Sequence, residues 1–208
     1  LLAAPEQGQE MAALLKSLGL NTRSLGQDCS TLIINGLNPD PGVTWAEPML
    51  LAHQETIRAG LKVLRRLSPA NRIILAVPKE LNLHLTDIEI AHVPAHYPAS
   101  VNALVVKAVT GKENPKDVGI VGLHNLWSLG HVARTGLPLT ETVVTLGSLE
   151  HSGNYIVCDG SLIGDLLEFA HIPLHTGDTL VRGGPLRGES VDKLSRSITC
   201  GTPGVFVV

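Results

Sequence analysis

Apolar residues recur along this chain with two periods, one helical and one extended. In residues 6–18, Met11, Leu14, Leu15 and Leu18 fall on one face of a 3.6-residue turn, which predicts a helix. Pro5 suits its first turn, and Gly19 can close it in a left-handed cap. Residues 31–34 form a short apolar strand. Asn35-Gly36-Leu37-Asn38-Pro39-Asp40-Pro41-Gly42 can continue neither strand nor helix, and so reads as a loop at a strand's carboxyl end. From Trp45 the helical period returns, with Leu50, Ile57, Leu61 and Leu64 on one face and Gln54, Arg58, Lys62 and Arg65 on the other. That helix is expected to end near Leu67, before Ser68-Pro69.

Residues 72–77 make a second buried strand closed by Pro78, and residues 86–90 read as an edge strand. Ser100 can cap a helix that carries Val101, Leu104, Val105 and Ala108 inward, with Thr110-Gly111 as its exit. A strand over 118–123, a helix from near Leu126 to Thr135 and a strand over 142–146 follow. Strands alternating with helices predict an α/β fold with a largely parallel sheet and helices on both faces. In such a sheet ligands bind outside the carboxyl ends of the strands. The polar pair His124-Asn125, where a strand gives way to a helix, is therefore the first place to seek a site.

After Gly147-Ser148 the elements shorten and glycine becomes denser. Residues 154–158 read as a strand, residues 161–170 as a short helix with Leu162, Leu166 and Phe169 inward, and residues 179–181 as another strand. Gly183-Gly184-Pro185-Leu186-Arg187-Gly188 makes a tight turn, and residues 198–200 and 205–208 read as closing strands. The expected organisation is an α/β domain over 1–147 and a small α+β domain over 148–208, which is too small to hold a generous core by itself.

Composition narrows the functional classes. A formal net charge of -3, with no basic run, gives no electrostatic footprint for nucleic acid. Cys29, Cys158 and Cys200 are odd in number and lack C-x-x-C spacing, so neither a disulfide framework nor an iron–sulfur centre is expected within this chain. His92, His96, His124 and His131 match no metal-ligand template, and no metal is expected. No apolar run is long enough for a transmembrane segment, and the first four residues are too short for a signal sequence. The start without Met and the apolar end at Val208 suggest a segment of a longer protein.

Several ordered motifs then point to a family. Tyr97-Pro98 before a helix, Thr110-Gly111-Lys112-Glu113-Asn114-Pro115, His124-Asn125-Leu126-Trp127-Ser128, and Gly136-Leu137-Pro138-Leu139 leading to Val143-Val144-Thr145 resemble the RnfC family. That family is the peripheral subunit of the Rnf electron-transport complex, and its α/β domain is more distantly similar to the NADH-binding flavoprotein subunit of respiratory complex I. Val157-Cys158-Asp159-Gly160-Ser161 leading to Asp165-Leu166-Leu167, and the Gly183 to Gly188 run, resemble its SLBB domain, a β-grasp module.

The resemblance implies a Rossmann-type sheet followed by SLBB, and an RnfC-like subunit or fragment of an NADH:acceptor oxidoreductase complex. Its partners would be other redox subunits, and its location cytoplasmic, peripheral to the inner membrane through those partners. Iron–sulfur segments would lie outside this chain. FMN and NADH are the cofactors it implies, with Asn35, Asp40, Asn125 and Ser128 at the positions that line the pocket. The chain departs from the pattern in one respect. Relatives wrap the flavin with a G-x-G-G loop, since glycine lets backbone N–H groups approach the phosphate and ring. Here residues 18–27 keep no such loop, so the flavin site is expected to be degenerate, as in the similarly stripped NqrA subunit.

Each site residue also has a purely structural reading. Asn125 can cap a helix, Asn35 and Asp40 can form turns, and Ser128 can satisfy backbone groups. The alternatives to an electron-transfer subunit are a non-catalytic scaffold, or a ligand-binding SLBB module for a quinone, a cobalamin or a glycan.

Overall fold

The computed structural model describes residues 9–22 and 25–208. Pro5 and residues 6–8 of the first expected helix, and Arg23 and Ser24 of the shortened loop, lie outside the described residues. The chain divides into two compact units, the first comprising the described residues up to Leu37 with Ala46–Leu139, the second Asn38–Trp45 with Thr140–Val208.

In the first unit, α1 (Gln9–Ser17) precedes β1 (Thr31–Asn35), α2 (Ala46–Ala52), α3 (Gln54–Leu67), β2 (Arg72–Pro78), β3 (Glu89–Val93), α4 (Asn102–Thr110), β4 (Val118–Gly122) and α5 (Leu123–Thr135). The four strands are all parallel, in the order β3-β2-β1-β4. Side chains alternate across a strand. Ile33, Ala76 and Val93 accordingly pack with Val105 and Val106 of α4 on one face. Leu32, Ile34, Leu75 and Val77, all fully buried, point to the other face, where α5 meets β1 and β4 and packs on α3.

The α3–α5 contact is exceptionally close. A Cβ at Gly60 would strike the Leu126 carbonyl, and one at Gly130 would strike the Thr56 carbonyl. Gln27 guards the free edge of β4: its side-chain Nε2 donates to the Ile120 carbonyl (3.0 Å) and its Oε1 accepts the Ile120 N–H (3.3 Å).

The second unit holds β5 (Glu141–Gly147), β6 (Ser152–Cys158), α6 (Ile163–Phe169), β7 (Leu180–Arg182), β8 (Glu189–Val191) and β9 (Gly204–Val207). Its sheet order is β6-β5-β9-β7-β8, with β5 and β9 parallel and the other pairs antiparallel. Among the described residues the strand β5, read from sequence as part of the first domain, pairs only within this sheet. Val144, Leu146, Val205 and Val207 bury against Ile163, Leu166 and Leu167 of α6.

Residues 38–45 are sewn into the second unit. The Thr44 N–H donates to Thr145 Oγ1 (3.0 Å), Thr145 Oγ1 donates to Asn154 Oδ1 (2.7 Å), and Trp45 Nε1 donates to the Pro203 carbonyl (3.1 Å). Gly42 takes φ +83°, and a Cβ there would press on the Phe206 ring. A side chain would be strained there.

Several local expectations need correction. The single helix after Trp45 is two, because His53 leaves the helical region at φ -114°, ψ 34°. Ser100 does not cap α4. Val101 holds the cap position, Leu104 and Ala108 point outward, and Val105 with Val106 carry the burial. Phe169 also faces outward, because Ile163, Leu166 and Leu167 already fill the buried face of α6. The edge strand begins at Glu89 rather than at Thr86, and residues 198–200 form no strand.

Candidate functional site

The strand order places β2 and β3 on one side of β1 and β4 on the other. The topological switch point therefore lies between β1 and β4, and ligands of open α/β sheets bind outside the carboxyl ends there. The register sets Asn35, the last residue of β1, directly beside Gly122, the last of β4.

Asn35 is buried, and its side chain is fully engaged. Nδ2 donates to the Ser100 carbonyl (3.0 Å) and to Asn102 Oδ1 (2.8 Å), while Oδ1 accepts the Leu37 N–H (3.1 Å). The last bond is the local side-chain-to-backbone turn that Asn favours, and the first two staple β1 to the start of α4. No amide hydrogen of Asn35 is left for a ligand. The next residue, Gly36, is pressed so close to the Ala76 carbonyl that a Cβ would collide with it.

The sequence makes Asn125 a candidate cap for α5, but the helix starts earlier. Gly122 is the N-cap residue, in extended conformation at φ -76°, ψ 152°, and no side chain bonds the cap. Asn125 therefore sits in the first turn. Its Nδ2 lies 3.9 Å from the point where a Gly122 Cβ would stand, so Asn35 and Asn125 flank Gly122. The first-turn N–H groups of this 13-residue helix have no acceptor within the helix, and with the helix dipole they give the switch point a partial positive charge. Ser128 lies further along α5, only 3% exposed, and its Oγ is buried with no hydrogen-bond partner.

Asp40 belongs to the second unit. Its buried carboxylate accepts the Leu186 N–H (3.0 Å) through Oδ1 and the Arg187 Nε–H (3.1 Å) through Oδ2, and Arg187 also donates to the Pro39 carbonyl. A Cβ at Gly184 would run into the Asp40 side chain, so the glycine turn is moulded around this carboxylate. Sequence reasoning missed this pairing, although Arg187 within a glycine-rich turn was its visible half.

His124, in the first turn of α5, stacks on Trp127 with ring centroids 6.0 Å apart, and Trp127 in turn meets His131 at 5.3 Å. Burial pulls the His124 imidazole down from 6.5 to about 4, so it is neutral at neutral pH. The ladder follows from the i, i+3, i+7 spacing, which puts the three rings on one helix face. Among the described residues no group of three or more His, Cys, Asp or Glu side chains is placed to hold a metal ion. His92 Nδ1 instead lies 3.3 Å from the Pro78 carbonyl. Among the described residues no helix is long and apolar enough to cross a membrane.

Tested against a flavin, this donor set fits poorly. Asn35 and Asp40 are both engaged by protein groups, Ser128 is sealed from solvent, and of the four only Asn125 is not buried.

No protein-family profile matches the chain. It is similar to proteins named as the C subunit of the ion-translocating oxidoreductase complex. One from Buchnera aphidicola is 27% identical over 196 residues, covering 85% of this chain and 41% of the relative. One from Erwinia tasmaniensis is 29% identical over 185 residues, covering 79% and 23%. One from Rhodobacter capsulatus is 26% identical over 238 residues, covering 99% and 46%. The chain thus spans less than half the length of these relatives. The last alignment runs over 238 positions against 208 residues here, so this chain is shorter than the portion of that relative it matches.

Among solved structures, a chain of an NAD+-reducing NiFe-hydrogenase in the H2-reduced state superposes with a TM-score of 0.65 at 17% identity, covering 97% of this chain and 43% of that one. That likeness speaks for the α/β fold. The sequence relationship, which runs along most of the chain, makes it a homologue of the RnfC family, the C subunits of ion-translocating oxidoreductase complexes.

Proposed function

We propose that this chain is the RnfC-like part of an electron-transport oxidoreductase subunit whose flavin site has degenerated, and that it serves as a docking scaffold for other redox subunits. The observation that carries the reading is Asn35: its amide is consumed by Ser100, Asn102 and Leu37, where a cofactor-binding residue would keep a donor free. The engagement of Asp40 by Arg187 and the lost G-x-G-G loop in residues 18–27 support it. In this reading residues 148–208 belong to an SLBB module, β5 completes its sheet, and residues 38–45 are bonded to it. The mixed sheet covered on one face by α6 favours that assignment. The subunit works at the cytoplasmic side of the inner membrane, held there by its partners, and any iron–sulfur clusters lie outside this chain.

If FMN and NADH do bind, Asn125 and the first-turn N–H groups of α5 are the groups that would meet the cofactor. The flavin would supply the redox step and the chain the positioning. The test is a titration of the purified chain with FMN, and separately with NADH, followed by absorbance and fluorescence, repeated with Asn125→Ala. Absence of saturable binding at micromolar concentrations is the expected outcome. Saturable binding that weakens in Asn125→Ala would restore a working flavoprotein.

A second reading, a ligand-binding module, draws on one observation. The second unit has a polar depression of about 360 Å³ lined by Arg182, Arg187, Thr199, Cys200 and Thr202. Calorimetry with quinone, cobalamin and glycan probes separates it from the scaffold reading.

A further inference from the structure

Sheet edges expose unpaired N–H and C=O groups, and proteins guard them with charge, proline, shortness or a covering group. Three of the edges here are guarded. On β3, Glu89 forms a two-pronged ion pair with Arg72 (2.8 and 2.5 Å). On β4, the Gln27 side chain takes up the backbone of Ile120. The strand β8 has three residues, and its Glu189 pairs with Arg182 and Arg196.

The fourth edge is different. β6 runs for seven residues, Ser-Gly-Asn-Tyr-Ile-Val-Cys, without a charge or a proline, and among the described residues it pairs only with β5. Large apolar groups flank it on both sides of the sheet. Ile156 is 51% exposed, and Phe169 of α6, 73% exposed, sets its ring edge-on to Tyr155 at 6.2 Å. A strand laid along β6 would cover both.

We propose that β6 is the interface for a second copy of this chain, which adds antiparallel to it about a two-fold axis through Tyr155. The strand is self-complementary in three respects. Its exposure alternates from exposed Ser152 to exposed Cys158 symmetrically about Tyr155, so the two-fold sets exposed positions opposite exposed ones: Asn154 faces Ile156, and Ser152 faces Cys158. Gly153 then faces Val157, small against branched. The strand carries no charge, so self-pairing brings no like charges together, and the flanking positions set the imidazole of His151 opposite the carboxylate of Asp159. An isologous contact of this kind closes as a dimer and cannot propagate into fibres. The two Tyr155–Phe169 pairs meet near the axis and form its apolar centre.

The test is sedimentation velocity on the chain over a concentration series, with Ile156→Lys and Phe169→Ser beside the wild type. Both sites are exposed, so circular dichroism should show native spectra for the variants. A dimer in the wild type whose dissociation constant rises about tenfold or more in each variant is the expected result, since Lys puts a charge into the seam and Ser removes the apolar centre. Hydrogen exchange adds a readout that needs no mutant: amides of β6 that do not bond β5 should be protected at high protein concentration and lose that protection on dilution. A wild type that stays monomeric through the micromolar range overturns the proposal, including the case in which another protein's strand takes the edge. A dimer indifferent to Ile156→Lys, or concentration-independent exchange in β6, overturns it as well.

Discussion

In the parallel-sheet unit, α3 and α5 meet where Gly60 and Gly130 leave out their side chains, so the helix backbones themselves are in contact. In the mixed-sheet unit, residues 38–45 and the turn Gly183 to Gly188 are joined through one buried carboxylate, Asp40, and its guanidinium partner. The first arrangement is steric and tolerates no added atom. The second is electrostatic, and its strength depends on every polar group staying paired. Two residues that look alike as motif survivors, Asn35 and Asp40, serve different units: Asn35 staples β1 to the start of α4 through its amide, and Asp40 holds the glycine turn through its carboxylate.

Breaking the steric lock should cost most. Gly130→Val would drive a branched side chain into the Thr56 carbonyl, with backbone on both sides and nothing flexible to yield. A loss of about 3 kcal/mol or more is expected, read as a shift in the urea midpoint. Gly111→Ala is the control. Gly111 also has a special backbone, φ +73°, but has no heavy atom within 4 Å of an added Cβ, so only about 1 kcal/mol should be lost. Equal losses at the two sites would show that backbone conformation, and not helix contact, makes Gly130 necessary.

Breaking the electrostatic lock should cost somewhat less. Asp40→Ala leaves the Leu186 N–H and the Arg187 guanidinium without their acceptor. Because Arg187 is nearly half exposed and can turn to water, about 2 kcal/mol is expected rather than the full penalty of a buried orphan charge. The loss should be accompanied by faster exchange at the Leu186 amide. Unchanged exchange there would mean that the glycine turn holds its shape without the carboxylate.

Acid should act through the parallel-sheet unit. Folding lowers the His124 pKa from 6.5 to about 4, so between those values the unfolded chain binds a proton that the folded chain refuses. Stability from this group is complete above 6.5 and is withdrawn as the pH falls toward 4, by up to about 3 kcal/mol. His124→Gln should flatten that part of the stability–pH curve. A variant that keeps the wild-type slope would assign the acid sensitivity to other groups.

The parallel sheet was legible in the sequence because strands buried on both faces are continuous apolar runs, as in Leu32-Ile33-Ile34 and Ile73-Ile74-Leu75. Helix exits were legible too: Gly19, Gly111 and Gly136 all have positive φ, as a left-handed cap requires. What escaped was set by distant partners. The outward turn of Phe169 depends on three other residues filling one face of α6, and the division of labour between Asn35 and Asp40 depends on Asn102 and Arg187, far along the chain. The start of α5 at Leu123 moved Asn125 off the cap, and no local signal marks that shift because Gly122 closes the strand and opens the helix at once.

The smallest predicted effect separates a scaffold from a site most cleanly. Ser128 buries its hydroxyl without a partner, at a position whose family resemblance is to cofactor binding. A buried hydroxyl with no hydrogen bond costs folding free energy, and Ala removes that cost while leaving only a small void. Ser128→Ala should therefore be neutral or stabilising by up to about 1 kcal/mol in the isolated chain, read as a rise in Tm. A fall in Tm would mean that the hydroxyl has a bonding partner in solution. Were that fall to vanish when FMN is added, the partner would be a protein group that the cofactor displaces, and the crevice between β1 and β4 would have to be regarded as a working site.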